Sequence, residues 1–116
     1  VSARLRDAFA RADALGAEGR FFDAHEELEA FWMKASGDEK VLLQGLIQVA
    51  AGLHRLSLDP KKPAGAFYLL DRGLAKLRRT EALLAPGCLA PLADAVAGIR
   101  ASGAAPGSLV FGLRAA

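Results

Sequence analysis

The chain is expected to fold as an all-α, single-domain bundle of about five helices around a central apolar helix, with an extended C-terminal tail. Three observations carry that expectation. Its 116 residues suit one core, because a chain of this size buries roughly two-thirds of its unfolded surface. Hydrophobic residues make up 53% of it and are largely Ala and Leu, with few β-branched side chains, which favours helices over strands. Apolar residues also recur three and four apart between Gly and Pro breakpoints. The helical domain is expected over residues 1–103 and the tail over 104–116.

Ser2 caps a first helix that runs to about Leu15, with Leu5, Ala8, Phe9 and Ala12 as its apolar stripe and Gly16 as its stop. Gly19 separates it from a second helix, where Asp23 and Glu26 have capping-box spacing and Phe21-Phe22 fall near the first turn. On a wheel of 100° per residue, Ala24, Leu28, Phe31, Trp32 and Ala35 form one apolar face, and Gly37 ends the helix. Asp38 caps the third segment, about Glu39 to Ser57, which is apolar almost all round through Leu42, Leu43, Leu46, Ile47, Leu53 and Leu56 and therefore reads as the central helix. Gly45 and Gly52, seven apart on it, would let a neighbouring helix approach closely.

Asp59-Pro60 breaks the chain, Pro63 suits the first turn of a fourth helix, and Phe67, Leu70, Leu74 and Leu77 carry that helix to about Leu84. Pro86-Gly87 breaks it again. Pro91 opens a fifth helix through Leu92, Val96 and Ile99 to about Ala101, with Gly103 as its stop. The tail carries Leu109, Val110, Phe111 and Leu113, so it is expected to dock on the helices or on a neighbouring subunit, since exposing it would invite aggregation. A homo-oligomer is accordingly among the expected partners.

Fifteen basic against thirteen acidic residues leave a formal charge of +2, a small imbalance rather than a nucleic-acid-scale field. The one cysteine, Cys88, excludes an internal disulfide and a cysteine-based zinc knot, and reads as a small apolar filler. No stretch approaches the roughly 20 consecutive apolar residues of a bilayer span, and no basic segment followed by an apolar run opens the chain, so no membrane is expected and the cytoplasm is the expected compartment. Trp32 is expected to anchor the core, and Tyr68 to place its ring there with its hydroxyl at the edge.

Chemistry concentrates at His25-Glu26-Glu27-Leu28-Glu29. His25 and Glu29 are four apart and border the apolar stripe of helix two, whereas Glu26 and Glu27 point elsewhere. The connector Ser36-Gly37-Asp38 is short enough to make helices two and three antiparallel neighbours. Reflection about Gly37 then sets His25 level with Gln48 and Glu29 level with Gln44, so an imidazole, a carboxylate and two carboxamides could converge in a polar seam. Neutral amides suit a half-buried position where a lone charge would be costly, but a stripe of Gln44, Gln48 and Arg55 also fits the solvated side of a helix, and both readings stand. His54 falls on the apolar side, roughly 7 Å beyond His25 in level, and reads first as a core histidine.

The run Phe21-Phe22-Asp23-Ala24-His25-Glu26-Glu27-Leu28-Glu29 with Trp32, then Leu43-Gln44-Gly45-Leu46-Ile47-Gln48 with Ala50, Ala51 and His54, then Gly65-Ala66 with Leu69, Leu70 and Gly73-Leu74, resembles the small helical family named domain of unknown function 309. The resemblance covers about residues 15 to 80. It implies a compact all-helical domain and makes the His-Glu and Gln pairs the family signature, without supplying an activity, substrate or cofactor.

Three functions follow. The preferred one is a binding or interaction module whose His/Glu/Gln seam fixes helix register or receives a small polar ligand. The second is a metal or acid-base enzyme built on His25 and Glu29, supported by Glu26, Gln44 and Gln48, with a divalent metal ion as cofactor; it has fewer strong donors than stable metal sites use and lacks the second histidine of a His-Glu-x-x-His helix. The third, ranked lowest, is nucleic-acid or acidic-partner binding through Arg72, Lys76 and Arg79, because such a stripe usually forms the solvated back of a helix and no aromatic residues interleave with it.

Overall fold

Breakpoints rich in Gly and Pro divide the chain into five α-helices among residues 2–116, which the computed structural model describes: α1 (Ala3–Ala17), α2 (Phe21–Lys34), α3 (Gly37–Leu58), α4 (Ala64–Arg79) and α5 (Leu89–Ser102). Val1, the first residue of the expected 1–103 domain, lies outside the described residues. Ser2 caps α1 by accepting from the Leu5 amide at 3.2 Å, and Gly103, at φ 69°, closes α5 in the left-handed conformation that glycine tolerates.

Several boundaries differ from the sequence expectation: α2 ends at Lys34 and Gly37 already belongs to α3, and α5 opens at Leu89, two residues before Pro91. Asp23 does not cap α2, which begins at Phe21; its carboxylate accepts from Arg20 Nε at 2.9 Å instead. Ser36, rather than Asp38, occupies the N-cap position of α3, and Asp38 and Glu39 lie in the first turn, where negative charge complements the helix dipole. Helix α4 ends at Arg79 instead of reaching Leu84. Thr80 is buried and its hydroxyl donates back to the Lys76 carbonyl at 2.8 Å, after which the chain tightens into a 3-10 turn over Glu81–Leu83.

The bundle is built around α3, which packs against α2 on one side and α4 on the other. By length and mean hydropathy (1.3 over its best window) α3 could cross a membrane, yet more than half of that window is buried inside the fold, as a core helix requires. Its contact with α4 is unusually close. A Cβ added at Gly45 would stand 2.8 Å from the Gly73 carbonyl oxygen, and one added at Gly73 would stand 2.6 Å from that of Gly45. Gly52 meets the Ala66 carbonyl in the same way, at 3.0 Å. The backbones can touch only where side chains are missing.

After α5 the tail returns along α1 and becomes part of the core. The Leu109 amide donates to the Gly16 carbonyl at 2.8 Å, Phe111 and Leu113 are buried, and Ala115 forms an isolated antiparallel bridge with Leu84. Gly16 therefore lies inside α1 as a crossing point for the tail, not as the helix stop; a Cβ there would be 2.2 Å from the Leu109 carbonyl oxygen. Of the four apolar tail residues that suggested docking, Phe111 and Leu113 are covered by their own chain, Leu109 is half-buried and Val110 stays exposed. Cys88 is buried, and its thiol reaches the Arg114 carbonyl at 3.7 Å. Tyr68 departs from expectation: its ring is 60% exposed and lies beneath the Arg72 guanidinium, 5.6 Å away. Trp32 is half-buried against the core, with Lys40 Nζ over its ring at 4.3 Å.

Asp13 fastens the tail. One oxygen, Oδ1, accepts from the amides of Phe111 (2.8 Å) and Gly112 (3.2 Å). Burial pushes its carboxyl above the ordinary range, and the two amide hydrogen bonds oppose that shift without cancelling it. An acid whose pKa is higher in the folded than in the unfolded state binds its proton better when folded. Its stabilising contribution is therefore complete below the ordinary carboxylate pKa and is lost as pH rises through the raised value. Asp13→Asn, which keeps the acceptor and discards the desolvated charge, is expected to match or exceed the parent in urea midpoint at pH 7, with the difference shrinking as pH falls towards 4. Asp13→Ala leaves two amides without an acceptor and should cost about 1–3 kcal/mol. An Asn variant as unstable as the Ala variant at pH 7 would contradict this account.

Candidate functional site

Antiparallel packing brings the start of α2, the end of α3 and the start of α4 to one end of the bundle, and a cleft opens between them. From α2, Phe22 and His25 line it; Leu69 comes from α4. The floor is the last two turns or so of α3, with Ala51, His54, Arg55 and Leu58. The cleft measures about 380 Å³, within the range of small-molecule sites, and its walls are mostly carbon. Both histidines of the chain border it.

Phe22 organises the two imidazoles. Its ring centroid lies 5.8 Å from that of His25 and 5.1 Å from that of His54, both tilted, so the two imidazoles pack against one aromatic ring. His25 Nε2 lies 3.0 Å from Glu29 Oε1, one turn along α2, close enough for charge pairing when the imidazole is protonated. Its other nitrogen, Nδ1, is shielded from solvent and has no hydrogen-bond partner among the described residues. Leaving a buried polar atom unpaired costs about 1–3 kcal/mol, which marks His25 as a side chain with unused bonding capacity.

Arg55 is the only permanent cation on the cleft wall. It is exposed and has no ion-pair partner among the described residues. Its guanidinium lies against Gly65 in the first turn of α4; a Cβ on that glycine would come within 2.6 Å of Cζ. That turn holds no acidic residue and no side-chain cap. The positive end of α4 thus meets the negative end of α3 beside the guanidinium, and no carboxylate pairs with it among the described residues.

The groups expected to converge in one seam fall into two separate pairs. His25 is paired with Glu29 within α2, while Gln48, half-buried, accepts from Lys76 Nζ at 2.8 Å across the α3–α4 contact. No hydrogen bond among the described residues joins His25 or Glu29 to Gln44 or Gln48. Gln44 is half-buried and Glu26 is exposed. His54, expected as a core histidine, shares the cleft with His25 instead. Phe22, Arg55, Leu58 and Leu69 were not singled out as site residues from sequence; the one available signal was the unbroken arc from His54 to Arg55, two adjacent residues 100° apart that can flank a single groove.

The basic stripe is partly engaged within the fold: Lys76 reaches Gln48, Arg72 covers Tyr68, and Arg79 remains exposed. Burial, and then the charges of Arg72 and Arg79, pull the Lys76 ammonium below its ordinary value. No group of three or more His, Cys, Asp or Glu side chains placed to hold a metal ion occurs among the described residues.

No curated protein and no solved structure matches the chain significantly. The family described as Domain of unknown function (DUF309) matches residues 9–69, a stretch that contains α2, α3 and every residue lining the cleft. Since that match takes in just over half of the sequence, this small, all-helical chain belongs to that family.

Proposed function

We propose that the protein is a helical binding module that receives a small ligand in the cleft among α2, α3 and α4. The observation that supports this reading is the gathering of His25, His54 and Arg55 on one carbon-walled cleft of about 380 Å³. Apolar walls supply affinity by area, and a few nitrogen groups supply orientation, which is the usual division of labour in such sites. The cytoplasm is the compartment we propose for it, a setting that suits a single free cysteine.

A second reading, metal-dependent or acid-base chemistry through His25 and Glu29, draws on their 3.0 Å separation. A divalent cation there would have two protein donors, where stable sites use three or four, so water, substrate or a second subunit would have to complete the coordination. Metal analysis of protein purified without chelator, repeated on His25→Ala, distinguishes the two. The binding-module reading expects no stoichiometric metal and a variant that stays folded, with a stability change below about 1 kcal/mol because His25 is half-buried and its pair is solvent-screened. One equivalent of tightly held metal, lost in the variant, would replace this reading with the metal site.

A further inference from the structure

We propose that the cleft selects a small monocarboxylate with an apolar body, its carboxylate held by Arg55 and its carbon skeleton lying between Phe22, Leu58 and Leu69; this rests on the cleft being a binding site, as argued above. The charge of the ligand follows from what the cleft leaves unpaired. His25 already faces Glu29, so any positive charge on it is matched, whereas Arg55 has no acidic partner among the described residues. It also lies against a helix start with neither acid nor side-chain cap. Its own place in the last turn of α3 balances that neighbour, and what the guanidinium lacks is a hydrogen-bonding anion to fill its planar fork.

A single permanent cation matches a single negative charge, and its planar fork matches a carboxylate in bidentate geometry. A phosphate dianion would call for a second permanent cation, which this wall lacks. The rest of the ligand follows from the walls. Phe22 is 46% and Leu58 70% exposed, and both line the cleft, so free apolar surface stands next to a lone charge. A carbon skeleton of several atoms would cover both, and an ion without one would leave them wet.

Gly65 is the positioning residue. With only hydrogen on its Cα, the first turn of α4 lets the guanidinium lie flat on the backbone, and a methyl group there would overlap Cζ, Nη2 and Nε at 2.6–2.9 Å. Gly65→Ala should therefore displace the fork while leaving its charge intact, and alanine in a helix's first turn does not weaken the fold.

The chain's two histidines both line the cleft, so their imidazole NMR signals report occupancy directly. Hexanoate and benzoate, titrated against their neutral amides and against inorganic phosphate, are expected to shift both histidines saturably, with the amides binding about tenfold or more weakly and phosphate weaker still. Arg55→Gln and Gly65→Ala should each weaken the acids by about tenfold while leaving amide binding unchanged, a split that a general loss of structure cannot produce. Amides that bind as tightly as acids would overturn the carboxylate assignment and leave the cleft standing as a binding site. Phosphate equal to hexanoate would overturn the requirement for an apolar body. Absence of any histidine shift with every probe would overturn both this assignment and the reading beneath it.

Discussion

Phe111→Ala is expected to lower unfolding free energy by about 3–4 kcal/mol, the cost of emptying a fully buried aromatic site that cannot collapse around the gap. Phe111 is 2% exposed although it lies five residues from the chain's last residue, in a segment with no regular secondary structure. Its ring reaches Gly16, whose missing side chain makes the room: an added Cβ would be 3.0 Å from a ring carbon of Phe111. The backbone on either side is fixed by the Leu109–Gly16 and Phe111–Asp13 hydrogen bonds, and further on by Ala85–Arg114 and Ala116–Leu83. The loss should therefore include part of the tail's ordering as well as the cavity. Against a typical total of about 5–15 kcal/mol, such a change is readily measured as a fall in urea midpoint, with proteolysis appearing in residues 104–116 before the helices are cut. A loss below about 1 kcal/mol, with the tail still protected, would show that Phe111 is not part of the cooperative core.

The helices were legible in the sequence because each buries a periodic stripe between strong breakpoints, and Ala, Leu, Gly and Pro carry both signals. The close approach at Gly45 and Gly52 was legible for the same reason: a glycine inside an apolar helix is costly unless a backbone lies against it. The path of the tail was not. Nothing local distinguishes Asp13 or Gly16 as its attachment points, because the residues they bind lie more than 90 positions away.

The site was half legible, and the reason is rotational. Reflection about the α2–α3 connector fixes which residues stand at the same level but says nothing about which arc of α3 faces α2. That rotation is set by α4. With Gly45 and Gly52 turned to α4, Gln48 is carried towards Lys76, and His54, on the far side of the polar stripe from the glycines, is carried towards Phe22 and His25. The stripe of Gln44, Ala51 and Arg55 is left between the two neighbouring helices. This explains why its glutamines are half-buried, and why its C-terminal end forms the floor of a cleft.

If α4 sets that rotation, Gly73→Ala should be among the most damaging single-methyl changes in the molecule. Alanine gains about 1 kcal/mol over glycine in a helix interior, so a glycine with free space around it is improved by the change. Gly98 in α5 supplies that control: a Cβ there meets nothing within 4 Å, and Gly98→Ala is expected to raise stability by about 0.5–1 kcal/mol. At Gly73 the same methyl would stand 2.6 Å from the Gly45 carbonyl oxygen and 2.9 Å from the Val49 amide nitrogen. These are backbone atoms of the central helix, which no rotamer change can move away. The two helices must separate, and overpacking of this kind costs about 1–3 kcal/mol and sometimes more, enough to exceed the propensity gain. A net loss of about 2 kcal/mol at Gly73 beside a gain at Gly98, read from thermal or urea unfolding, is the expected pattern. Separation should also disturb the Gln48–Lys76 contact and the far end of α3, so the imidazole signals of His54 are expected to shift in Gly73→Ala and to stay in place in Gly98→Ala. Two variants of equal stability would mean that α3 and α4 do not meet backbone to backbone, and the orientation of the cleft's floor would need another cause.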